Sequence, residues 1–254
     1  MASGFSIIVS EKIVISDVKK VYESSRKGYF MSGVVITEKD RFVMEFLYKF
    51  RVATSIELSA LLNVTNSGVY KRMKRLENVG LVKKQQVMIL EHIYFLSNEG
   101  YRFLNKKGKE VNLNTLNIFH ELFLTKIGTA LLRDTSDLEL SDIYTEKDQF
   151  ASEKDFFKAS KKAFPDLYIP KYKVIVEYER TEKTKERIKK KIMNNFENFT
   201  DCSQMWILPR ARKSTIEMLK NNDFFISAII SEEYVEHTFT DNQYTLDLKE
   251  LIKY

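Results

Sequence analysis

Three carboxylates stand where they could do chemistry together. Asp166 follows Pro165 and opens the short apolar run DLYI, while Glu177 and Glu179 close a second run, KVIVEYE. Both runs have strand composition, and IPKY between them reads as a turn. With Pro170 and Lys171 as the two turn residues, Ile169 faces Tyr172 and Asp166 faces Ile175. Strand side chains alternate, so Ile175, Glu177 and Glu179 share a face and Asp166 joins them. Asp166 and Glu177 are then diagonal neighbours, about 7–8 Å apart at the backbone. Converging carboxylates are what Mg²⁺ or Mn²⁺ requires, and such an ion activates water and stabilises charge on a phosphodiester. The same residue types also suit the plainer reading, acids at a sheet end in solvated ion pairs with a basic helix, each pair worth little.

The elements that must position these acids follow the periodicity. ERTEKTKERIKKKIMNNFENF predicts a helix with Ile188, Ile192, Phe196 and Phe199 as its apolar stripe, and Arg180, Lys183, Arg187, Lys190 and Lys191 among its basic residues. Upstream, residues 113–133 predict a long helix that is apolar on most sides (Leu116, Phe119, Leu122, Phe123, Ile127, Ala130, Leu131). Such a helix is buried by its own domain or by a dimer partner. Residues 134–155 are polar and acidic and read as a solvated loop with one strand near Ile143 and Tyr144. MWIL (205–208) and FFISAII predict strands, with ARKSTIEMLKNN as a helix between them. From residue 113 the order is helix, three strands, helix, strand, helix, strand, which suits an α/β sheet with helices on both faces.

Residues 37–104 carry a different pattern. TEKDRFVMEFLYKF places Phe42, Phe46, Leu47 and Phe50 at helical spacing with Thr37 as N-cap. ATSIELSALLN is a shorter helix, and VTNSGVYKRMKRLENVG a third, capped by Thr65, with Val69, Met73 and Leu76 on its buried face and Gly80 at C′. LVKKQQ and HIYFLS predict a hairpin, followed by a short helix, NEGYRFL. Three helices and a hairpin is the order of a winged helix-turn-helix. The third helix would present Asn66, Ser67, Tyr70, Lys71, Arg72, Lys74 and Arg75 outward, its small polar N-terminal residues to base edges and the basic ones to phosphates. Lys83 and Lys84 on the first wing strand would touch backbone. A charge run such as KRMKR is otherwise a solvated face, and the apolar VMIL of the hairpin suits packing against the second domain or another subunit.

The second half resembles the PD-(D/E)xK nuclease superfamily, with Pro165-Asp166 as first motif and Glu177-Tyr178-Glu179 as second. From about residue 37 to 210 the chain resembles the replication-relaxation family of plasmids and mobile elements, with His120-Glu121, Pro165-Asp166 and Glu177-Tyr178-Glu179-Arg180 in the places of its motifs. The resemblance implies an α/β (α+β overall) chain, a winged helix followed by a restriction-endonuclease-like domain. It implies Asp166, Glu177 and Glu179 as candidate metal ligands and, with Lys183, as candidate catalytic residues. Glu179 stands where the superfamily carries a lysine; Lys183 or Lys185 would supply that charge and Glu121 another acid.

Composition bounds the rest. A chain of 254 residues with 44% hydrophobic and 30% charged residues reads as folded, and a net charge of +6 suits a polyanionic partner. The lone Cys202 forms no internal disulfide, and His92, His120 and His237 match no zinc-ligand spacing. The apolar runs fall short of the ~20 residues of a membrane helix, and FSIIVSEKIVISDV is broken by charges, so a cytoplasmic protein is expected. The expected organisation is an unassigned extension (1–36), a winged helix (37–110) and a nuclease-like domain (111–254). The expected partners are double-stranded DNA, a second copy of the chain in a homodimer, and a replication or relaxase protein. Three functions follow: a DNA-binding protein acting at an origin or operator, a Mg-dependent endonuclease or nickase, and a pure transcription regulator. A ligand-sensing second domain draws no support from a Gly-rich phosphate loop, which the sequence lacks.

Overall fold

The computed structural model describes residues 29–31, 34–87, 92–113, 117–152, 164–181, 183–221 and 226–252. Most of the 1–36 extension, and residues 88–90 of the VMIL stretch with Glu91, fall outside them. A small antiparallel pair, β1 (Tyr29–Met31) and β2 (Val34–Ile36), leads into the first helix.

Three helices follow: α1 (Glu38–Phe50), α2 (Ser55–Leu62) and α3 (Asn66–Asn78). Each starts at a threonine, Thr37, Thr54 or Thr65, whose hydroxyl accepts an amide of the first turn; on α1 and α2 an acid closes the capping box. Gly80 takes φ +76°, the left-handed turn that ends α3. Strands β3 (Ala53–Thr54), β4 (Val82–Gln86) and β5 (His92–Leu96) form an antiparallel sheet in the order β3-β5-β4, and α4 (Asn98–Phe103) packs behind it. This is the expected winged-helix layout. Phe46, Leu47, Leu58, Val69, Met73 and Leu76 fill its core, as the spacing requires.

The second sheet has five strands in the order β10-β9-β8-β7-β6: β6 (Tyr144–Thr145), β7 (Leu167–Ile169), β8 (Val174–Tyr178), β9 (Ser203–Leu208) and β10 (Ile226–Ser231). The β6–β7–β8 part is antiparallel and β8–β9–β10 is parallel. Both faces are covered. Val174, Val176, Tyr178, Met205 and Ile207 join the main core, which also holds Phe123 and Ile127 of α5 (Ile118–Asp134). Trp206 and Leu208 pack under α7 (Lys185–Asn198) and α8 (Lys213–Lys220) through Ile188, Ile192 and Leu219. The chain closes with two short helices, α9 (Glu232–His237) and α10 (Leu248–Leu251).

Helix α5 is apolar on most sides because two bodies share it. Its Phe123 ring stacks on Tyr178 of β8 at 4.4 Å. On the winged-helix side Thr125 donates to the Val52 carbonyl at 2.7 Å, and a Cβ on Gly128 would lie 2.1 Å from the Phe50 ring. Its burial therefore needs no dimer partner.

Two expectations change. The acidic stretch after α5 holds the expected strand, β6, but the rest is not loop: a 3-10 turn (Leu140–Asp142) and α6 (Glu146–Ser152) lie in it. Asp148 closes a capping box with Thr145, so TEKD is a helix start rather than a solvated loop. The β7–β8 connection is longer than two residues. Pro170–Tyr172 form a 3-10 turn and Lys173 takes φ 51°, so Ile169 pairs with Val174 and Leu167 with Val176. The register moves by two residues, which leaves Asp166 on its expected face and brings it opposite Glu177 instead of diagonal to it.

Candidate functional site

Asp166 and Glu177 meet at one end of the sheet. The Asp166 Oδ2 accepts the Tyr178 amide at 2.8 Å, which fixes it across the β7–β8 pair. Its Oδ1 stands 3.6 Å from His120 Nε2, on the first turn of α5. Glu177 points to the α7 side and is fully buried. Lys191 Nζ lies 2.5 Å from Glu177 Oε2 and 4.0 Å from Asp166 Oδ2, and Asn195 Nδ2 donates to Glu177 Oε1 at 2.7 Å. Lys191 is thus the close partner of Oε2, as Asn195 is of Oε1. Burial pushes the Glu177 carboxyl up to about 7; Lys191 opposes this and Asp166 adds to it. Burial works to lower Lys191, but Glu177 and Asp166 outweigh it and hold the ammonium above the ordinary lysine range.

Glu179 takes a separate path. It is buried, accepts Thr181 Oγ1 at 3.0 Å and pairs with Lys183. Lys183 therefore serves Glu179, and the lysine between the other two acids is Lys191. Sequence reasoning names Lys191 only as one of a basic set. A signal for it exists: it adjoins Ile192 on the stripe, and Asn195 interrupts that stripe between Ile192 and Phe199. Glu121 pairs with Arg51 of the winged helix at 2.9 Å, and burial raises its carboxyl.

This arrangement does not fit the divalent ion that the resemblance implies. An ammonium stands between Asp166 and Glu177, and Glu179 is turned to Lys183. Among the described residues no group of three His, Cys, Asp or Glu side chains is placed to hold a metal.

On the winged helix, the first turns of α3 leave Asn66, Ser67, Tyr70 and Lys71 exposed, and no ion-pair partner is found for Lys71 among the described residues. A groove of about 610 Å³ runs beside them, lined by Thr54, Ile56, Asn66, Ser67, Tyr70 and His92. The basic residues behind are less free than a helical wheel implies. Arg72 and Arg75 both fold back onto Asp40 of α1, the latter at 2.5 Å, and Asp40 is fully buried. A buried acid must be paired, and two arginines within one turn of α3 supply the charge. Lys74 pairs with Glu77 at 3.2 Å and Lys83 with Glu110 at 2.7 Å; Lys84 lies over the Tyr70 ring at 5.6 Å.

Among the described residues no helix is long and apolar enough to cross a membrane. No family model and no curated protein matches the chain. Among solved structures, Lactococcus lactis ZitR is similar over 40% of this chain and 73% of its own: a cysteine-to-serine mutant at 15% identity and a glutamate-to-alanine mutant at 14%, both with a TM-score of 0.27. A likeness of that size carries no argument about what this chain does.

Proposed function

We propose that the chain is a DNA-binding protein of a plasmid or mobile element. It seats α3 in the major groove at an origin or operator and assists replication, mobilisation or relaxation, or transcriptional control. One observation carries the reading: small polar side chains, an aromatic ring and a lysine with no ion-pair partner among the described residues stand exposed together on the first turns of α3, whose opposite face, with Val69, Met73 and Leu76, is buried in the core. Asn66 and Ser67 meet base edges, Tyr70 and Lys71 the adjoining backbone. Arg72 and Arg75 keep a net positive charge after sharing Asp40, so they add field at the phosphates while bracing α3. A homodimer would place two such helices on a symmetric site, and a replication or relaxase protein would be the further partner.

Anisotropy of labelled duplex DNA against salt tests this. Lys71→Ala should weaken binding several-fold and reduce the slope of log K against log salt by about one. An unchanged slope and affinity would sink the α3 assignment. The endonuclease or nickase reading is a second proposal, favoured by the meeting of Asp166 and Glu177 and opposed by Lys191 between them. Equal, negligible nicking of supercoiled plasmid by wild type and Glu177→Ala, with Mg²⁺ or Mn²⁺ present, would remove it. The origin or operator reading stands without that chemistry, and regulation of transcription alone is its narrowest form.

A further inference from the structure

A second groove, of about 620 Å³, opens at the sheet end beside Asp166. Phe119 and His120 of the α5 start line it, together with Asp166, Arg180, Lys183 and Arg212. Phe119 is 53% exposed, although it belongs to a helix whose other large apolar side chains are mostly buried. The Arg180 guanidinium lies 5.0 Å above its ring, and the Arg180 carbonyl accepts Arg212 Nη2 at 3.1 Å, which ties the two arginines together at the rim. Arg180 has no carboxylate partner among the described residues, so its charge serves the groove.

From this geometry we infer that the groove binds single-stranded DNA, with an unpaired base on the Phe119–Arg180 shelf and its flanking phosphates on the rim cations. An exposed aromatic ring beside a guanidinium is a stacking platform that accepts the face of any base. Arg180 and Arg212 attract phosphate at the rim, whereas Lys183 is paired with Glu179, and Lys191 with Glu177 and Asp166, farther in. A phosphate is therefore held at the rim, and Asp166 accepts from an exocyclic amine of a base that enters. That order, anion outside and donors inside, matches a nucleotide and not an acidic peptide, whose charges lie at its side-chain ends. The shelf selects an unpaired strand because in a duplex both faces of each base are covered by its neighbours. His120, 5.2 Å from Tyr178 and within reach of Asp166, closes the inner end of the groove.

The inference rests on the reading that this chain works on DNA, but on different residues, so the two can fail separately. Anisotropy is measured with a labelled mixed-sequence 20-mer, single-stranded and as duplex, for wild type, Phe119→Ala, Phe119→Tyr and Lys71→Ala. Phe119→Ala should weaken single-strand binding about tenfold or more and leave duplex binding unchanged. Phe119→Tyr should keep it, and Lys71→Ala should affect the duplex alone. Phe119→Trp adds a direct probe, because the natural tryptophan, Trp206, is fully buried: stacking of a base quenches emission from position 119. Single-strand affinity unchanged in Phe119→Ala, no quenching in Phe119→Trp, or equal competition by polyglutamate would each overturn the inference. Failure of Lys71→Ala to change duplex binding would instead count against the α3 reading.

Discussion

Removing Lys191 isolates the buried charge on which the sheet end depends. In Lys191→Met the stem is kept and the ammonium is lost, leaving Glu177 fully buried with Asn195 as its remaining partner. Breaking a buried pair from one side costs about 3–5 kcal/mol. The carboxyl can escape part of this by taking up a proton. Its folded pKa is already pushed up to about 7 from the ordinary 4.5 with the lysine present, and without it rises further, with Asp166 acting in the same sense. A folded pKa above the unfolded one means that stability is fully present below the unfolded value and is lost as pH rises through the folded one. The variant should therefore be least stable at alkaline pH and recover by about 1.4 kcal/mol per pH unit on acidification between about pH 7 and 5. The assay is urea unfolding followed by Trp206 fluorescence, with the Lys191 ammonium 5.8 Å from that ring in the wild type. Lys191→Met/Glu177→Gln should regain most of the loss and flatten the pH slope. The wild-type carboxyl, at about 7, already gives a slope below pH 7, so the variant is distinguished above it: a variant whose stability levels off above pH 7 as the wild type's does, or a double variant no more stable than the single one, would refute the argument.

Three further outcomes follow from packing and caps. Asp40→Asn should lose about 3 kcal/mol in thermal or urea unfolding, because Arg72 and Arg75 lose their shared anion; a change under about 1 kcal/mol would show that the pairing is incidental. Gly128→Ala should cost about 1–3 kcal/mol through collision with Phe50, and Phe50→Leu in the same chain should return part of it in a double-mutant cycle. Thr65→Ala should cost about 1 kcal/mol, since its hydroxyl accepts the Gly68 amide at 3.2 Å; circular dichroism melts would measure it.

The winged helix is legible in the sequence because its signals are local. Threonine caps, apolar spacing and the glycine after α3 lie within a few residues of what they determine. The Asp166–Glu177 meeting is legible for a subtler reason: a two-residue turn is too short by two residues, and a sheet face repeats every two. An error of one would send Asp166 to the opposite side. The place of Lys191 is legible only in part: its position beside Ile192 and Asn195 sets it near the buried edge of α7, but which acid it reaches depends on how α7 rotates above β8 and β9, a tertiary fact. The same holds for Arg72 and Arg75. Their helical positions point outward, but Asp40, a first-turn acid of another helix, draws them in. Strand alternation alone makes Glu179 a third member of the acid group, and the chain beyond it, with Thr181 and Lys183, takes it elsewhere.

Helix α5 has a geometric consequence for any DNA the chain holds. Its 17 residues span about 25 Å, with Phe123 locked to the sheet and Gly128 locked to Phe50. The angle between α3 and the groove at Phe119 is thereby set by packing, and on the proposed reading the two surfaces would meet a double helix like a set square. A duplex turns once in about 10.5 base pairs, so an opened segment lies under the groove only at one phase from the sequence under α3. Inserting about five base pairs, half of that turn, between them would carry that segment to the far side of the duplex, while the same contacts on α3 stayed intact.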